Sequence, residues 1–272
     1  MAILTISREI GTEGLEIGKK IAADMGYEFF DKQRVLKELK TVGPLWAEVA
    51  DKLDGHTPLL WEKYDWHYMG YVALAQSLIL DGALSGKAVI LGRGGNFLLE
   101  NIPYALNARL IAPIEIRLRK TTEDDSCSDF VCISKEASQK LLEKIDKESE
   151  NLIRSVFGKD WNDPLAYDMI LNMSGLSVEE AVGTLKTVLE KREKLRDAKA
   201  EDRLRKRALA AKVKAAIFTN PAFSVPTLEV FNAGDEILLK GVVHNAKEHK
   251  LIEDEAKKIA GDTQVKCELR YR

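Results

Sequence analysis

The sequence predicts an α/β fold in which a doubly wound parallel sheet precedes a small α+β domain. Short apolar strands alternate with helical stretches over the first 180 residues, which is the pattern of a parallel sheet. Two of these strands, at 2–6 and 86–91, run directly into glycine-rich turns. From about residue 203 the pattern changes to helix, hairpin, helix and strand, which indicates a separate small domain.

Length and composition describe a globular chain of one large or two ordinary domains. Of its 272 residues, 45% are apolar and 31% are charged, and the formal net charge is −2. This charge gives no global attraction to nucleic acid, so a nucleic-acid partner is not expected. The three cysteines are too few for a disulfide framework. No histidine cluster accompanies them, so no metal site is predicted.

The sequence also predicts the compartment. The first residues already read as a charged strand, turn and helix, so a signal peptide is not expected. The longest apolar runs, such as 71–80, are too short to span a membrane. We therefore expect a cytoplasmic, reduced protein without a transmembrane segment.

The first strand, turn and helix form the frame of a phosphate site. Gly11 and Gly14 make the turn, and the helix opens near Leu15. Backbone N–H groups at such a turn, together with the positive end of the helix dipole, attract anions. The phosphate-loop pattern G-x-x-x-x-G-K-[ST] is nevertheless not met, because Glu9 replaces the first glycine, Leu15 the lysine and Glu16 the Ser/Thr. On motif alone, the frame is predicted without its charged residues.

A second glycine turn, at 92–96, follows the strand at 86–91. Ligands of open α/β sheets bind outside the C-terminal ends of the strands, so we expect Arg93 to point into the same crevice as the first turn. The alternative is a surface turn with an incidental arginine.

The next elements continue the alternation. A strand at 107–112 leads through Pro113 into a helix, and a charged amphipathic helix follows at 135–157. A strand at 167–172 precedes a capping box, from which a helix is expected to run unbroken from Val178 to Thr219. Its segment at 186–214 holds 12 Lys/Arg and 5 Asp/Glu. Such a basic helix can bind nucleic acid or an anionic membrane surface. More commonly it is a connecting helix exposed to solvent.

The C-terminal region combines a hairpin at 228–243 with a helix at 246–260 and a final alternating strand at 265–271. It contains no acid/base pair, nucleophile or phosphate loop. The sequence therefore predicts a binding or docking module.

Five motifs follow one another in order along the first domain, at 6–18, 27–31, 90–95, 109–115 and 167–180. By these motifs residues 1–198 resemble the cytidylate-kinase-like family, a branch of the phosphate-loop nucleoside monophosphate kinases. The resemblance implies a three-layer P-loop kinase fold with a parallel sheet, a helical monophosphate-binding region at about 32–85 and a lid at about 121–160.

The resemblance also implies a chemistry, the transfer of a phosphoryl group from ATP, with Mg²⁺, to a cytidine-type nucleoside monophosphate. Catalysis there is mostly positioning and charge neutralisation. By position, Asp31 and Arg93 would lie at the acceptor side, and Arg117 and Arg119 near the base of the lid. The residues that would wrap the donor phosphates are Gly11, Thr12, Glu13 and Gly14.

Two departures from the family pattern affect this expectation. Family members usually carry a basic residue where this chain has Leu15, and a lid arginine where it has Ser149. Because a phosphate-facing arginine is worth roughly 10³–10⁵ in rate, losing two cations predicts impaired catalysis unless others replace them. The candidate replacements are Arg8, Lys19, Lys147 and Arg154, of which Arg8 and Arg154 are assigned catalytic roles.

Residues 203–272 resemble a BON domain, a module linked to phospholipid or small-ligand binding. Three functional hypotheses follow. The first is a nucleoside monophosphate kinase with a BON appendage, and the second is a catalytically impaired nucleotide sensor coupled to the BON module. The third is a membrane-surface or scaffold role of the basic helix and the BON module. Fold alone does not choose among them, because function depends on the site.

Overall fold

The computed structural model describes residues 1–53, 65–123, 135–223 and 225–272. Their helices and strands form two compact units. One comprises residues 1–34 and 85–196, and the other comprises 35–53, 65–84 and 197–272. In chain order the elements are β1 (Ile3–Arg8), α1 (Gly14–Met25), β2 (Glu28–Phe30), α2 (Lys32–Val42), α3 (Pro44–Leu53), α4 (Trp66–Leu84), β3 (Ala88–Leu91), α5 (Gly95–Leu98), β4 (Ala105–Ile111), α6 (Ile114–Glu123), α7 (Lys135–Phe157), a 3-10 helix (Pro164–Ala166), β5 (Met169–Asn172), α8 (Val178–Glu193), α9 (Ala198–Thr219), β6 (Glu229–Ala233), β7 (Glu236–Val243), α10 (Ala246–Ala260) and β8 (Gln264–Tyr271).

The first unit is built on a parallel sheet of five strands in the order β2-β3-β1-β4-β5. The central strand β1 pairs with β3 at Ile3↔Ala88 and with β4 at Ile3↔Ala105. Parallel strands are covered on both faces, which explains why all four residues of β3 are apolar and buried. Helices α1 and α8 pack on β1 and β4 in one core. The sheet confirms the predicted α/β class.

The basic segment differs from the prediction. The prediction of one unbroken helix from Val178 to Thr219 is wrong, because α8 ends at Glu193 and α9 begins at Ala198. The Asp197 side chain accepts a hydrogen bond from the Ala200 N–H group at 2.7 Å and caps a new helix. A short acidic side chain stabilises a helix start better than a helix interior, so the chain breaks there without glycine or proline.

The second unit has a sheet of three strands in the order β6-β7-β8, with β6 antiparallel and β8 parallel to β7. Helices α9 and α10 cover this sheet, and Ala73 of α4 belongs to the same core. Helix α4 is therefore a core element of this unit, as its nearly all-apolar sequence suggests. The buried residues shared by the core include Ala73, Phe218, Phe223, Ile237, Leu239 and Ile252.

Gly70 marks the close packing of α4 in this unit. A Cβ atom at Gly70 would lie 2.1 Å from Trp46 Cη2 and 3.0 Å from the Phe218 carbonyl oxygen. We expect Gly70→Ala to lower the free energy of unfolding by about 2 kcal/mol, because overpacking outweighs the better helix propensity of alanine. In urea unfolding, Gly183→Ala in α8 is the matched control. Its Cβ meets nothing within 4 Å, so it should stabilise by about 1 kcal/mol. Equal effects of the two substitutions would contradict this account.

Candidate functional site

Arg8, the last residue of β1, extends from the first glycine turn to the second. Its stem passes over the start of α1, where a Cβ atom at Gly14 would lie 3.0 Å from Arg8 Cγ. Its guanidinium reaches the second turn, where a Cβ atom at Gly92 would lie 2.7 Å from Arg8 Nη1. Both glycines therefore leave space for one arginine side chain at the C-terminal ends of β1 and β3.

Arg8 lies within electrostatic range of both Arg93 and Asp31, and we call these three residues the arginine crevice. Burial, and next the like charge of Arg93, lower the pKa of Arg8, while Asp31 opposes this shift. Among the described residues, no hydrogen bond or ion pair reaches the Arg8 guanidinium. One oxygen of Asp31 accepts the Arg34 N–H group at 2.8 Å in the first turn of α2. An anion entering this crevice would relieve the repulsion between two arginines.

Arg93 has an uncommon backbone conformation. Its φ angle of 55° lies in the left-handed region, which costs a residue with a side chain about 1–2 kcal/mol. Gly92 and Gly94 on either side also have positive φ, at 71° and 67°. Strain of this kind persists where the surrounding structure imposes it and is frequent at ligand sites.

The first glycine turn is packed against α6. A Cβ atom at Gly11 would lie 2.9 Å from Arg117 Cβ, and the Gly11 φ angle is 84°. Thr12 is buried, and its hydroxyl donates to the Glu9 carbonyl at 2.7 Å. Glu13 stands at the N-cap of α1 with a φ angle of 57° and no side-chain cap hydrogen bond. Glu13 thus adopts the left-handed backbone conformation that usually favours glycine, although it carries a side chain.

Carboxylates neutralise the cations around this turn. The Glu9 carboxylate accepts the Ala112 N–H group at 3.1 Å and lies 3.8 Å from Arg109 Nη2 and 3.6 Å from Arg117 Nε. Arg117 also pairs with Asp146 of α7 at 2.8 Å. Glu13 forms an ion pair with Lys120. Three cations of the first turn, Arg109, Arg117 and Lys120, therefore face the three carboxylates of Glu9, Asp146 and Glu13.

Arg109 has a role that motif spacing did not reveal. Its guanidinium lies 4.1 Å from the centre of the Trp161 ring and donates to Asn162 Oδ1 at 2.9 Å and to the Tyr167 hydroxyl at 3.1 Å. The indole N–H group of Trp161 donates to Ser7 Oγ at 2.9 Å. A charged side chain within a buried strand must be paired or hydrogen-bonded. The position of Arg109 in the apolar run 107–112 was therefore the signal from which its buried partners could have been predicted.

The remaining predicted residues have different surroundings. Leu15, at the lysine position, is 45% exposed in the first turn of α1. Ser149 is half-buried on α7, and Arg119 is exposed on α6. Arg154 is exposed on α7 and pairs with Glu150 at 2.8 Å. Part of the implied lid, residues 124–134, lies outside the described residues.

The charged side chains of the first turn fit an ATP triphosphate with Mg²⁺ only in part. Glu9, Glu13 and Asp146 lie against the guanidinium and ammonium groups that phosphate oxygens would need, although Arg117 Nε is buried without a hydrogen-bond partner among the described residues. In the described ranges, no group of three or more His, Cys, Asp or Glu side chains could hold a metal ion. The described helices also include none long and apolar enough to cross a bilayer.

Comparison with known proteins agrees with the architecture. The model of the cytidylate kinase-like family matches residues 3–175, and that of the BON domain matches residues 205–272. The fold is similar to that of an uncharacterized protein from Eubacterium ventriosum ATCC 27560. The two structures align with a TM-score of 0.55 and 16% identity over 70% of this chain and 98% of that one. A shikimate kinase from Bacteroides thetaiotaomicron aligns with a TM-score of 0.44 and 14% identity over the same shares. No curated protein matches the chain.

Proposed function

The chain belongs to the cytidylate kinase-like family, and from this premise we propose that it is a kinase-like protein that binds a nucleoside monophosphate in the arginine crevice. Arg8 and Arg93 bind the phosphate, and Asp31 accepts a hydrogen bond from the sugar or base. One observation carries the proposal. The partly buried Arg8 guanidinium makes no hydrogen bond or ion pair with the described residues and has only Asp31 as an opposite charge at longer range, whereas Arg109 and Arg117 at the first turn lie within ion-pair distance of carboxylates.

Binding without rapid phosphoryl transfer is the function that the geometry supports best. Phosphoryl transfer needs cationic side chains in contact with the donor phosphates. A single arginine in that position raises the rate by roughly 10³–10⁵. At the first turn the cations face Glu9, Glu13 and Asp146, and Leu15 holds the lysine position. We therefore infer a nucleotide-sensing protein derived from a kinase.

The second candidate is the family activity, ATP-dependent phosphorylation of a cytidine-type nucleoside monophosphate. It is favoured by family membership and by the strand, glycine turn and helix at residues 3–25, which retain the backbone frame of a phosphate site. It requires the carboxylates of the turn to leave their cations when ATP and Mg²⁺ bind.

Calorimetry followed by a turnover assay separates the two candidates. The full chain is titrated with CMP, UMP, AMP and GMP, and then incubated with each monophosphate, ATP and Mg²⁺ while ADP is measured. We expect a dissociation constant between about 1 μM and 1 mM for at least one monophosphate, without sustained ADP production. Monophosphate-dependent ADP production would establish the second candidate. Absence of heat with all four monophosphates at millimolar concentration would overturn the proposal.

Gly92→Ala tests whether the second turn positions Arg8. The new Cβ atom would lie 2.7 Å from Arg8 Nη1, so the guanidinium must move. We expect about tenfold weaker monophosphate binding in calorimetry, in addition to a backbone cost of about 1 kcal/mol at a φ angle of +71°. Gly158→Ala is the matched control, because its φ angle is +64° and its Cβ meets nothing within 4 Å. Equal binding by both variants would show that Arg8 does not need this position.

For the BON module we propose binding of a phospholipid or other small ligand at its surface. The basic α9 supports a membrane role only weakly, since Lys206 pairs with Asp202 and Asp235 and burial lowers the pKa of Lys214. Sedimentation with anionic phosphatidylglycerol vesicles at low salt tests the lipid ligand. Binding that is lost at high salt would support it, and no binding at low salt would remove it.

A further inference from the structure

Strand β8 forms an open edge of the sheet in the second unit. It runs from Gln264 to Tyr271 and pairs with β7 along its whole length. Among the described residues, no strand pairs with its other side, which we call the β8 edge. An edge of eight residues presents unpaired backbone N–H and C=O groups, and such groups readily accept a further strand.

The backbone groups that point outward from this edge belong to alternate residues. The Arg272 N–H group donates to the Val243 carbonyl at 3.0 Å, so the even-numbered residues of β8 direct their backbone groups to β7. The N–H and C=O groups of Val265, Cys267 and Leu269 therefore point away from the sheet. Within the part of the chain that the structure describes, no hydrogen bond reaches these groups. They are available to a partner strand.

The side chains on the open face of β8 form a polar row. Side chains alternate along a strand, and Val265, Cys267 and Leu269 belong to the core on the opposite face. The exposed residues, in chain order, are Gln264, Lys266, Glu268 and Arg270. A partner strand on the β8 edge must therefore place a negative charge opposite Lys266 and a positive charge opposite Glu268.

A second copy of β8 provides this match in one antiparallel register. Pairing about Cys267 places Lys266 opposite Glu268 of the second copy, and Glu268 opposite Lys266 of the second copy. Gln264 then lies opposite Arg270, which adds no repulsion. A register centred on Glu268 instead places Glu268 against itself and Lys266 against Arg270. A register centred on Lys266 places two lysines together, so the charges favour the register about Cys267.

The register centred on Leu269 is the remaining alternative. It gains an attraction between Glu268 and Arg270 but opposes Lys266 to Arg272, so its charged contacts cancel. In the register about Cys267, every facing pair of charges attracts. Lys266 and Glu268 also direct their backbone groups to β7, so they face the second copy as non-hydrogen-bonded pairs, in which side chains approach most closely.

We propose that β8 pairs with β8 of a second copy of this chain, in an antiparallel register centred on Cys267, and joins the two sheets into one. The backbone groups of Val265, Cys267 and Leu269 exchange hydrogen bonds with the second copy, and Lys266 and Glu268 form two ion pairs across the edge. Because both copies use the same edge, the assembly stops at a dimer. A contact of this size is smaller than a permanent interface, so we expect a dissociation constant of about 1–100 μM.

Sedimentation equilibrium of the full chain, at concentrations up to about 300 μM, tests the proposal with two opposite charge reversals. Lys266→Glu makes both facing pairs negative, and Glu268→Lys makes both positive. We expect each variant alone to dimerise at least tenfold more weakly than the wild type, because like charges directly opposite repel. In an equimolar mixture of the two variants each facing pair is again attractive, so a heterodimer should form with about the wild-type affinity.

Arg270→Glu is the matched control, since it reverses an exposed charge on the same face but lies opposite the neutral Gln264. We expect it to change the dissociation constant by less than about threefold. Lys266 and Glu268 form only exposed pairs within the chain, so the urea midpoints of all variants should match that of the wild type. A wild-type chain that stays monomeric at the highest concentration would overturn the proposal. So would a mixture that dimerises no better than its two components, or a loss with Arg270→Glu equal to that with Lys266→Glu.

Discussion

Replacing Arg8 by methionine is expected to weaken nucleoside monophosphate binding by roughly 10- to 150-fold. The Arg8 guanidinium is partly buried and makes no hydrogen bond or ion pair with the described residues, and burial and Arg93 lower its pKa. A phosphate placed between Arg8 and Arg93 would make charge-assisted hydrogen bonds with both. Loss of such bonds from one arginine costs about 1.5–3 kcal/mol, which corresponds to roughly 10- to 150-fold in the dissociation constant.

The same substitution should not destabilise the chain, because it removes a desolvated charge and its repulsion with Arg93. We therefore expect an unchanged or slightly higher urea midpoint beside the lost affinity measured by calorimetry. Arg205→Met, at an exposed position of α9, is the matched control and should alter neither quantity. Monophosphate binding by Arg8→Met at the wild-type affinity would exclude the crevice as the phosphate site.

Local patterns in the sequence predicted the architecture well. The all-apolar sequence of β3 predicted a buried strand of a parallel sheet. The glycines after β1 and β3 predicted the turns, because a turn with positive φ angles favours residues without a side chain. The family resemblance is confirmed over residues 3–175 and 205–272. The break at Asp197 was missed, because an aspartate within a charged helix is compatible with both a cap and an interior position.

Local patterns could not predict which cations of the first turn are paired with carboxylates. Glu9 meets Arg109 and Arg117, which lie about a hundred residues further along the chain, and Arg117 meets Asp146 of α7. No local periodicity encodes such pairings, since they depend on how β4, α6 and α7 are placed. The sequence identified Leu15 and Ser149 as lost cations, yet it could not show that other cations are present and already neutralised.

Replacing Glu9 by glutamine is expected to lower the free energy of unfolding by about 3 kcal/mol, since the carboxylate compensates two largely buried guanidinium groups. Both Arg109 and Arg117 would keep their charge, and Asp146 would remain, paired directly with Arg117 and acting on Arg109 only at longer range. The uncompensated charge should then attract an anion. We expect inorganic phosphate or ATP to raise the urea midpoint of the variant measurably more than that of the wild type.

The outcome of this substitution determines whether Glu9 occupies a phosphate position. Glu179→Gln is the matched control, because Glu179 is exposed and its pair with Lys20 should contribute less than about 1 kcal/mol. If the Glu9 variant gains affinity for ATP, the carboxylate acts in the folded protein as a substitute for a donor phosphate, and its removal reopens the first turn. If the variant unfolds at the wild-type midpoint and phosphate does not raise that midpoint, Glu9 neither stabilises the two arginines nor occupies a phosphate position, and the prediction is contradicted.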